Sequence, residues 1–465
     1  MTQTVELDDV QGLVARGFGN LKAARFILLG VNDPKRARPW LGKLAGSVTS
    51  AARGPDRFAI NVAFTAPGLR ALGLDEAAIA AFSFEFRDGM VSDHRTRILG
   101  DIGQSAPETW TWGGPTSRGV DLLVMTYAID SEALATAREI VDRERGGVAV
   151  IAELDTSTLT DREHFGFHDG ISQPVIEGMG RSGTPENTIK AGEFVLGYEN
   201  EYGRRTDRPS VPRASDPSGI LPELAGDGDR SDLGKNGSYL VFRQLAQDVS
   251  RFWGFVEQQA GDTGGRLARE ALAAKMVGRW PSGAPLVRAP EKDEPALGSA
   301  NDFAYHLEDP HGFKCPKGSH IRRTHPRDSL DPDPGTAKSI EVGKRHRIAR
   351  RGRQYGSMLS SDDALRSMND AEERGLHFIC LNANLARQFE FIQHTWMNNA
   401  KFDGLYEDTD PVVTSRTGRS GIFTMPAEPV RRRVAELPSF VMVRGGAYFF
   451  LPGISAIRYL AALGD

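Results

Sequence analysis

The stretch DLLVMTYAIDSEALATAREIVDRERGGVAVIAEL, Asp121–Leu154, decides the fold. DLLVMTYAI (Asp121–Ile129) is a short apolar run rich in β-branched and aromatic residues, which reads as a buried strand. SEALATAREIVDRE (Ser131–Glu144) has helical spacing behind Ser131, read as its N-cap. GVAVIAEL (Gly147–Leu154) is a second strand. The same alternation stands upstream: AARFILLGV (Ala23–Val31) is a strand, a helix ends near Leu44, and RFAINVAFT (Arg57–Thr65) is another strand. APGLRALGL then places Pro67 at a helix start, where its missing N–H costs nothing.

Strand–helix–strand followed by strand–helix–strand is the order of a ferredoxin-like split βαβ unit. A comparable set recurs later. NGSYLVFRQL (Asn236–Leu245) is a strand and QDVSRFWGFVEQQ an amphipathic helix. GLHFICLNA (Gly375–Ala383) is a strand and NLARQFEFIQHTWMNN a helix. PSFVMVRGGAYFFLPG (Pro438–Gly453) reads as two strands turning at Gly445-Gly446. The expected architecture is α+β: two tandem ferredoxin-like modules of antiparallel sheets with packed helices, over residues 1–165 and 166–465. The second is enlarged by three stretches read as long loops, Glu199–Gly234, Trp280–Asp302 and Pro326–Lys344.

Composition narrows the function. Among 465 residues, 57 basic and 61 acidic side chains leave a net charge of -4, which gives no electrostatic footprint for nucleic acid or an anionic membrane. The 2 cysteines, Cys315 and Cys380, exclude a disulfide framework and a four-thiolate metal site; both read as small packed residues. The N-terminal segment has neither a basic region before an apolar run nor a twin-arginine pair. The apolar runs fall short of the roughly 20 residues a membrane span needs. A cytoplasmic location is the expectation.

Three segments carry candidate chemistry. In Gly166-Phe167-His168-Asp169-Gly170, Asp169 reads either as a turn residue or as a general base on a constrained loop. Cys315 to Arg327, CPKGSHIRRTHPR, sets His320 among cations and reads either as a solvated basic loop or as a surface facing an anionic group. In Arg347 to Gly356, RIARRGRQYG, alternation puts Arg351 and Arg353 on one face and Arg350 on the other.

Together these segments resemble the dye-decolorizing peroxidases. GFHDG fits that family's GxxDG motif, CPKGSHIRRTHPR its proximal-histidine segment and IARRGRQYG its distal-arginine strand. The resemblance runs along nearly the whole chain, through DVQGLVARGFGNL, NVAFTAPGLRALGL, EFVLGY, NGSYLVFRQLAQDV, QFEFIQHTW and SFVMVRGGAYFFLPGISAIRYLA. Length and insertions are similar to the larger bacterial subgroup without an export signal.

The resemblance implies a heme b enzyme, with the cofactor in the second module, that reduces hydrogen peroxide. It would oxidise dyes and phenolic or other aromatic donors in one-electron steps through a ferryl intermediate. It assigns His320 as axial iron ligand, Asp169 as the proton-transferring carboxylate and Arg350 as the guanidinium that stabilises developing charge. Leu376 and Phe378 become distal apolar residues, and Asp410, in TDPVV, the acidic partner of His320. Arg322, with Arg323 and Arg327, is expected to pair with the heme propionates. His168 and His325 are expected to be structural or propionate-side residues rather than ligands. Trp253 and Trp396 read as core, and Tyr355 as a weak candidate for passing electrons. An Asp base stays ionised in acid where an imidazole would not, so an acidic optimum with dyes is expected. The rival reading is a heme-binding or heme-iron-handling protein without peroxidase turnover; it needs His320 but not both Asp169 and Arg350. A homodimer is left open.

Overall fold

The computed structural model describes residues 4–261, 265–367 and 372–464. Its backbone is one nine-stranded sheet with helices on both faces. In the first half, β1 (Ala23–Val31) lies antiparallel between β3 (Leu122–Ala128) and β4 (Val148–Asp155), and β2 (Phe58–Phe64) pairs with β3. The order β4-β1-β3-β2 is the ferredoxin-like arrangement. Helix α1 (Pro34–Ala45) connects β1 to β2, and α2 (Ser131–Asp142) connects β3 to β4.

The second half repeats it. Strand β5 (Ser238–Gln247) runs between β8 (Gly375–Asn382) and β9 (Val441–Leu451). The short strands β6 (Ala349–Arg350) and β7 (Arg353–Tyr355) follow the far edge of β8. The order β9-β5-β8-β6/β7 matches the first half, and the two half-sheets join where Phe64 of β2 pairs with Phe450 of β9. Helices α3 (Val249–Ala260) and α4 (Gly265–Val277) follow β5.

The strands read as near-continuous apolar runs because both faces of the sheet are covered. Ile27 and Leu29 enter one core, while Phe26 and Leu28 enter the other. Trp253 is buried in the core under α3, as its spacing predicts. Helix α7 (Ile454–Ala461) packs on α1, so the end of the chain is tied back to the first half.

Several local expectations are corrected. The cap of α2 is Asp130, not Ser131: its Oδ1 accepts from Ala133 N–H at 2.8 Å. Gly445 and Gly446 do not turn the chain. They lie inside β9 at a bulge, where Gln244 pairs with Gly445 and Leu245 with Val443, so Arg444 is unmatched. Glycine is required there by packing, since a Cβ on Gly445 would collide with the Trp112 indole. The stretch 199–234 holds a small three-stranded sheet, and 326–344 contains α6 (Ala337–Lys344). The helix predicted around 384–399 is wound as wide π-type turns over Ala386–Glu390 and Ile392–Met397, a geometry often found beside functional sites. Among the described residues no helix is long and apolar enough to cross a membrane.

Candidate active site

One deep cavity opens over the second half of the sheet, with an empty volume of about 1780 Å³ including its open mouth. Its floor follows from strand alternation. Leu245 and Gln247 of β5, Leu376 and Phe378 of β8, and Val441 and Val443 of β9 sit two residues apart and face the same way. The wide-turn helix adds Phe389, Ile392 and Met397, so the walls are mainly apolar.

His320 starts the short helix α5 (His320–Thr324) on one wall. Its ring meets Asp410 Oδ2 through Nδ1 at 2.8 Å, which leaves Nε2 as the nitrogen available to a ligand. Asp410 is fully buried, and its Oδ1 accepts from the N–H groups of Val412 and Val413 at 2.9 and 3.0 Å. Arg416 donates to the Asp410 carbonyl. Burial alone would push the Asp410 pKa up, but the charge and hydrogen bond of His320 outweigh it and hold the carboxyl below its usual range. Burial would likewise lower the pKa of His320; Asp410 outweighs it and holds the imidazole above its ordinary value.

Asp169 and Arg350 occupy another part of the same cavity wall. Arg350 donates to Asp169 Oδ1 at 3.3 Å, and that oxygen also accepts from Gly170 N–H at 2.6 Å. The pair is 35% and 44% exposed for Arg350 and Asp169, so both groups remain reachable from the cavity. The face reading of the arginine segment holds. Arg351 donates to the carbonyls of Leu13 and Val14 and Arg353 to those of Gly17 and Phe18, away from Arg350.

Arg322 is the correction among the candidate cofactor contacts. It does not line the cavity. Its buried guanidinium donates to the Asp309 carboxylate at 3.2 Å and to the Cys315 carbonyl at 2.8 Å, and lies 4.7 Å from the Tyr305 ring centre. Arg323 is turned into carbonyls of Gly318 and Trp396. The helix explains this. At about 100° per residue, Thr324 returns to the face of His320 while Arg322 falls on the opposite side.

Three other arginines, none singled out from the sequence, reach the cavity: Arg243, which is ion-paired with Asp101, and Arg279 and Arg347. Arg347 donates to His325 Nε2 at 2.9 Å and to the Ser172 carbonyl at 3.0 Å, and His325 Nδ1 lies 3.1 Å from Ser172 Oγ. Accepting from a guanidinium makes His325 neutral. Burial, together with Arg347, Arg327, Arg279 and Arg350, pushes its pKa far down. Burial and neighbouring cations also lower Arg279 to about 10 and Arg347 to about 9. Among the described residues neither Arg279, Arg347 nor Arg327 makes an ion pair; their bonds go to neutral carbonyls and amides such as Asn301. Buried like charges without counterions are costly unless an anion joins them. Neither residue had a spacing signal: Arg279 enters from beyond α4, and Arg347 sits three residues before the arginine that drew notice.

The remaining expectations find plain places. Trp396 is buried against His346 and Phe391, and Tyr355 is buried and stacked on His377. Cys315 and Cys380 are buried free thiols. His168 lines the cavity; among the described residues no group of three or more His, Cys, Asp and Glu is built to hold a bare metal ion.

An imidazole braced by a carboxylate, an Asp and Arg pair in the same cavity, apolar walls and unmatched cations define a class of site. It suits a largely apolar ligand that carries anionic groups and a metal that takes one imidazole. No family model matches the chain. Curated relatives do: a dye-decolorizing peroxidase of Mycena epipterygia is 31% identical over 99% of this chain and 88% of its own length. A multifunctional dye peroxidase of an Amycolatopsis strain is 30% identical over 96% of this chain and 91% of its own. A solved dye-decolorizing peroxidase in complex with 2,6-dimethoxyphenol superposes with a TM-score of 0.80 at 27% identity, covering 98% of this chain and all of that one. The chain belongs to the dye-decolorizing peroxidase family.

Proposed function

We propose that this chain is a heme b peroxidase that reduces hydrogen peroxide and oxidises phenolic and other aromatic donors one electron at a time, with His320 as the iron ligand. The observation that carries the proposal is the single cavity in which His320, braced by Asp410, and the Asp169–Arg350 pair both stand. The phenol complex of a relative supports the donor class.

Heme, when bound, supplies the redox-active iron at which peroxide is reduced. The chain supplies the rest. His320 Nε2 would hold the metal, while Asp410 fixes the ring and its tautomer and would make the imidazole a stronger donor. Arg279 and Arg347 would hold the propionates, which would supply the counterions these cations lack within the protein. Leu376 and Phe378 keep their part of the cavity wall apolar and would limit water there. Asp169 takes the proton from one oxygen of hydrogen peroxide and returns it to the departing oxygen, and Arg350 balances the negative charge that grows on that oxygen. With two electrons from donors and two protons, one peroxide becomes two waters.

The test is the visible spectrum of the heme-loaded protein mixed with one equivalent of hydrogen peroxide. The unmodified protein is expected to change its Soret band within the mixing time and recover it on adding a phenol. Asp169→Asn and Arg350→Leu are each expected to slow the change by about 100-fold or more. A heme band indifferent to peroxide would instead mark a heme-handling protein.

A further inference from the structure

Asp169 has little of its own to hold it in place. Its side chain is half-exposed, with one bond to its own loop and one long bond to Arg350 at 3.3 Å. Its position is therefore inherited from the loop, and that loop is closed by a carboxylate outside the assigned chemistry. Glu163 lines the cavity. Its Oε2 accepts from Phe165 N–H at 2.9 Å and its Oε1 from Phe167 N–H at 3.0 Å. The Glu163 N–H itself donates to the Phe167 carbonyl at 3.0 Å, so the turn is closed from both directions. Gln247, on β5, donates to Glu163 Oε2 at 2.7 Å and ties the closed turn to the cavity floor. Beyond it the hairpin continues with Arg162 opposite His168, and Asp169 N–H donates to the Asp161 carbonyl at 2.9 Å.

We propose that Glu163 is the positioning residue of the distal loop, setting where the Asp169 carboxylate stands against Arg350. The inference rests on the role given to Asp169 above. A carboxyl group suits this place because both of its oxygens accept, whereas a carboxamide has one accepting oxygen and would turn an NH2 toward a backbone N–H. Packing assists: Phe165 and Phe167 lie against Phe252 and Trp253 at ring distances of 4.5 and 6.5 Å, so the turn has an apolar anchor but no other polar lock on these two N–H groups. Displacing a catalytic group by about 1 Å is enough to cost about 100-fold in rate.

The test compares Glu163→Gln, Gln247→Ala and Asp169→Asn in the heme-loaded protein, reading amide hydrogen exchange at Phe165 and Phe167 and the rate constant for reaction with hydrogen peroxide. Glu163→Gln is expected to speed exchange at one or both amides about tenfold and to slow the peroxide reaction 10- to 100-fold, leaving the Soret position unchanged. Gln247→Ala, which leaves both backbone bonds in place, is expected to give a smaller slowing. It carries the test should Glu163→Gln fail to fold. Faster exchange with an unchanged peroxide rate would overturn the proposal, as would an unchanged rate in both variants. Asp169→Asn separates the two levels. If it reacts as fast as the unmodified protein, the role of Asp169 fails; if it is slow while the Glu163 and Gln247 variants are not, only the positioning role fails.

Discussion

His320 and Asp410 face each other across 2.8 Å, Nδ1 to Oδ2, and Asp410 has no surface exposed to solvent. A buried carboxylate at this distance shifts both partners toward their charged forms, and two backbone N–H groups on its other oxygen keep it from rotating away. Asp410→Asn preserves the shape but removes the charge. It is expected to weaken heme binding or activity by about 10- to 100-fold and to raise the reduction potential. Heme titration with spectroelectrochemistry reads both, and wild-type values would show that the charge of Asp410 does not act on His320.

Arg347 is expected to serve the anionic end of the cofactor rather than the fold. With like-charged Arg327 and Arg350 beside it in a buried site, its charge is held at a cost in the absence of an anion. Arg347→Gln should therefore release heme to an excess of scavenger about tenfold faster, while the apoprotein unfolds at no lower urea concentration than the unmodified chain.

Arg322 predicts the reverse pattern. Its removal takes the ion-pair partner from the buried Asp309, whose carboxylate keeps hydrogen bonds from the N–H groups of Lys314 and Cys315. Arg322→Met is expected to cost about 3 kcal/mol or more in urea unfolding, with an unchanged peroxide rate constant in the folded protein. Selective heme loss without destabilisation would return Arg322 to the cofactor.

Glu163 makes stability depend on pH. Burial, with a smaller contribution from Asp169, raises its pKa to about 7 against the bonds from Phe165, Phe167 and Gln247. The folded chain thus holds a proton that the unfolded chain has lost between the ordinary carboxylate value and about 7. Its contribution to stability falls as pH rises through that window, by up to about 3 kcal/mol. Urea unfolding at pH 5 and pH 8 is expected to show Glu163→Gln gaining on the unmodified protein at the higher pH; a constant difference would contradict a half-buried carboxyl raised to about 7.

The sequence carried the first half of the fold almost to the residue, because β1 to β4 are near-continuous apolar runs separated by amphipathic helices. It misread β9, where Gly445 marks a close approach of Trp112 rather than a turn; that reason lies more than 300 residues away in the chain. The site was legible where chemistry is packed into short motifs: His320, Asp169 and Arg350 all reach one cavity. It was opaque where a role depends on direction. Arg322 and Arg347 look alike as arginines in basic segments, yet the turn of a short helix aims one at Asp309 while the segment before β6 aims the other at His325. Glu163 was hidden because a carboxylate that serves its own turn has no spacing signature.

The most direct measurement of the central claim is heme binding by His320→Gly, with and without added imidazole. The account predicts that the variant loses the tight complex and the axial-histidine spectrum, and that imidazole entering the vacated space beside Asp410 restores both. A His320→Gly variant that binds heme with the unmodified spectrum and affinity, without imidazole, would contradict it.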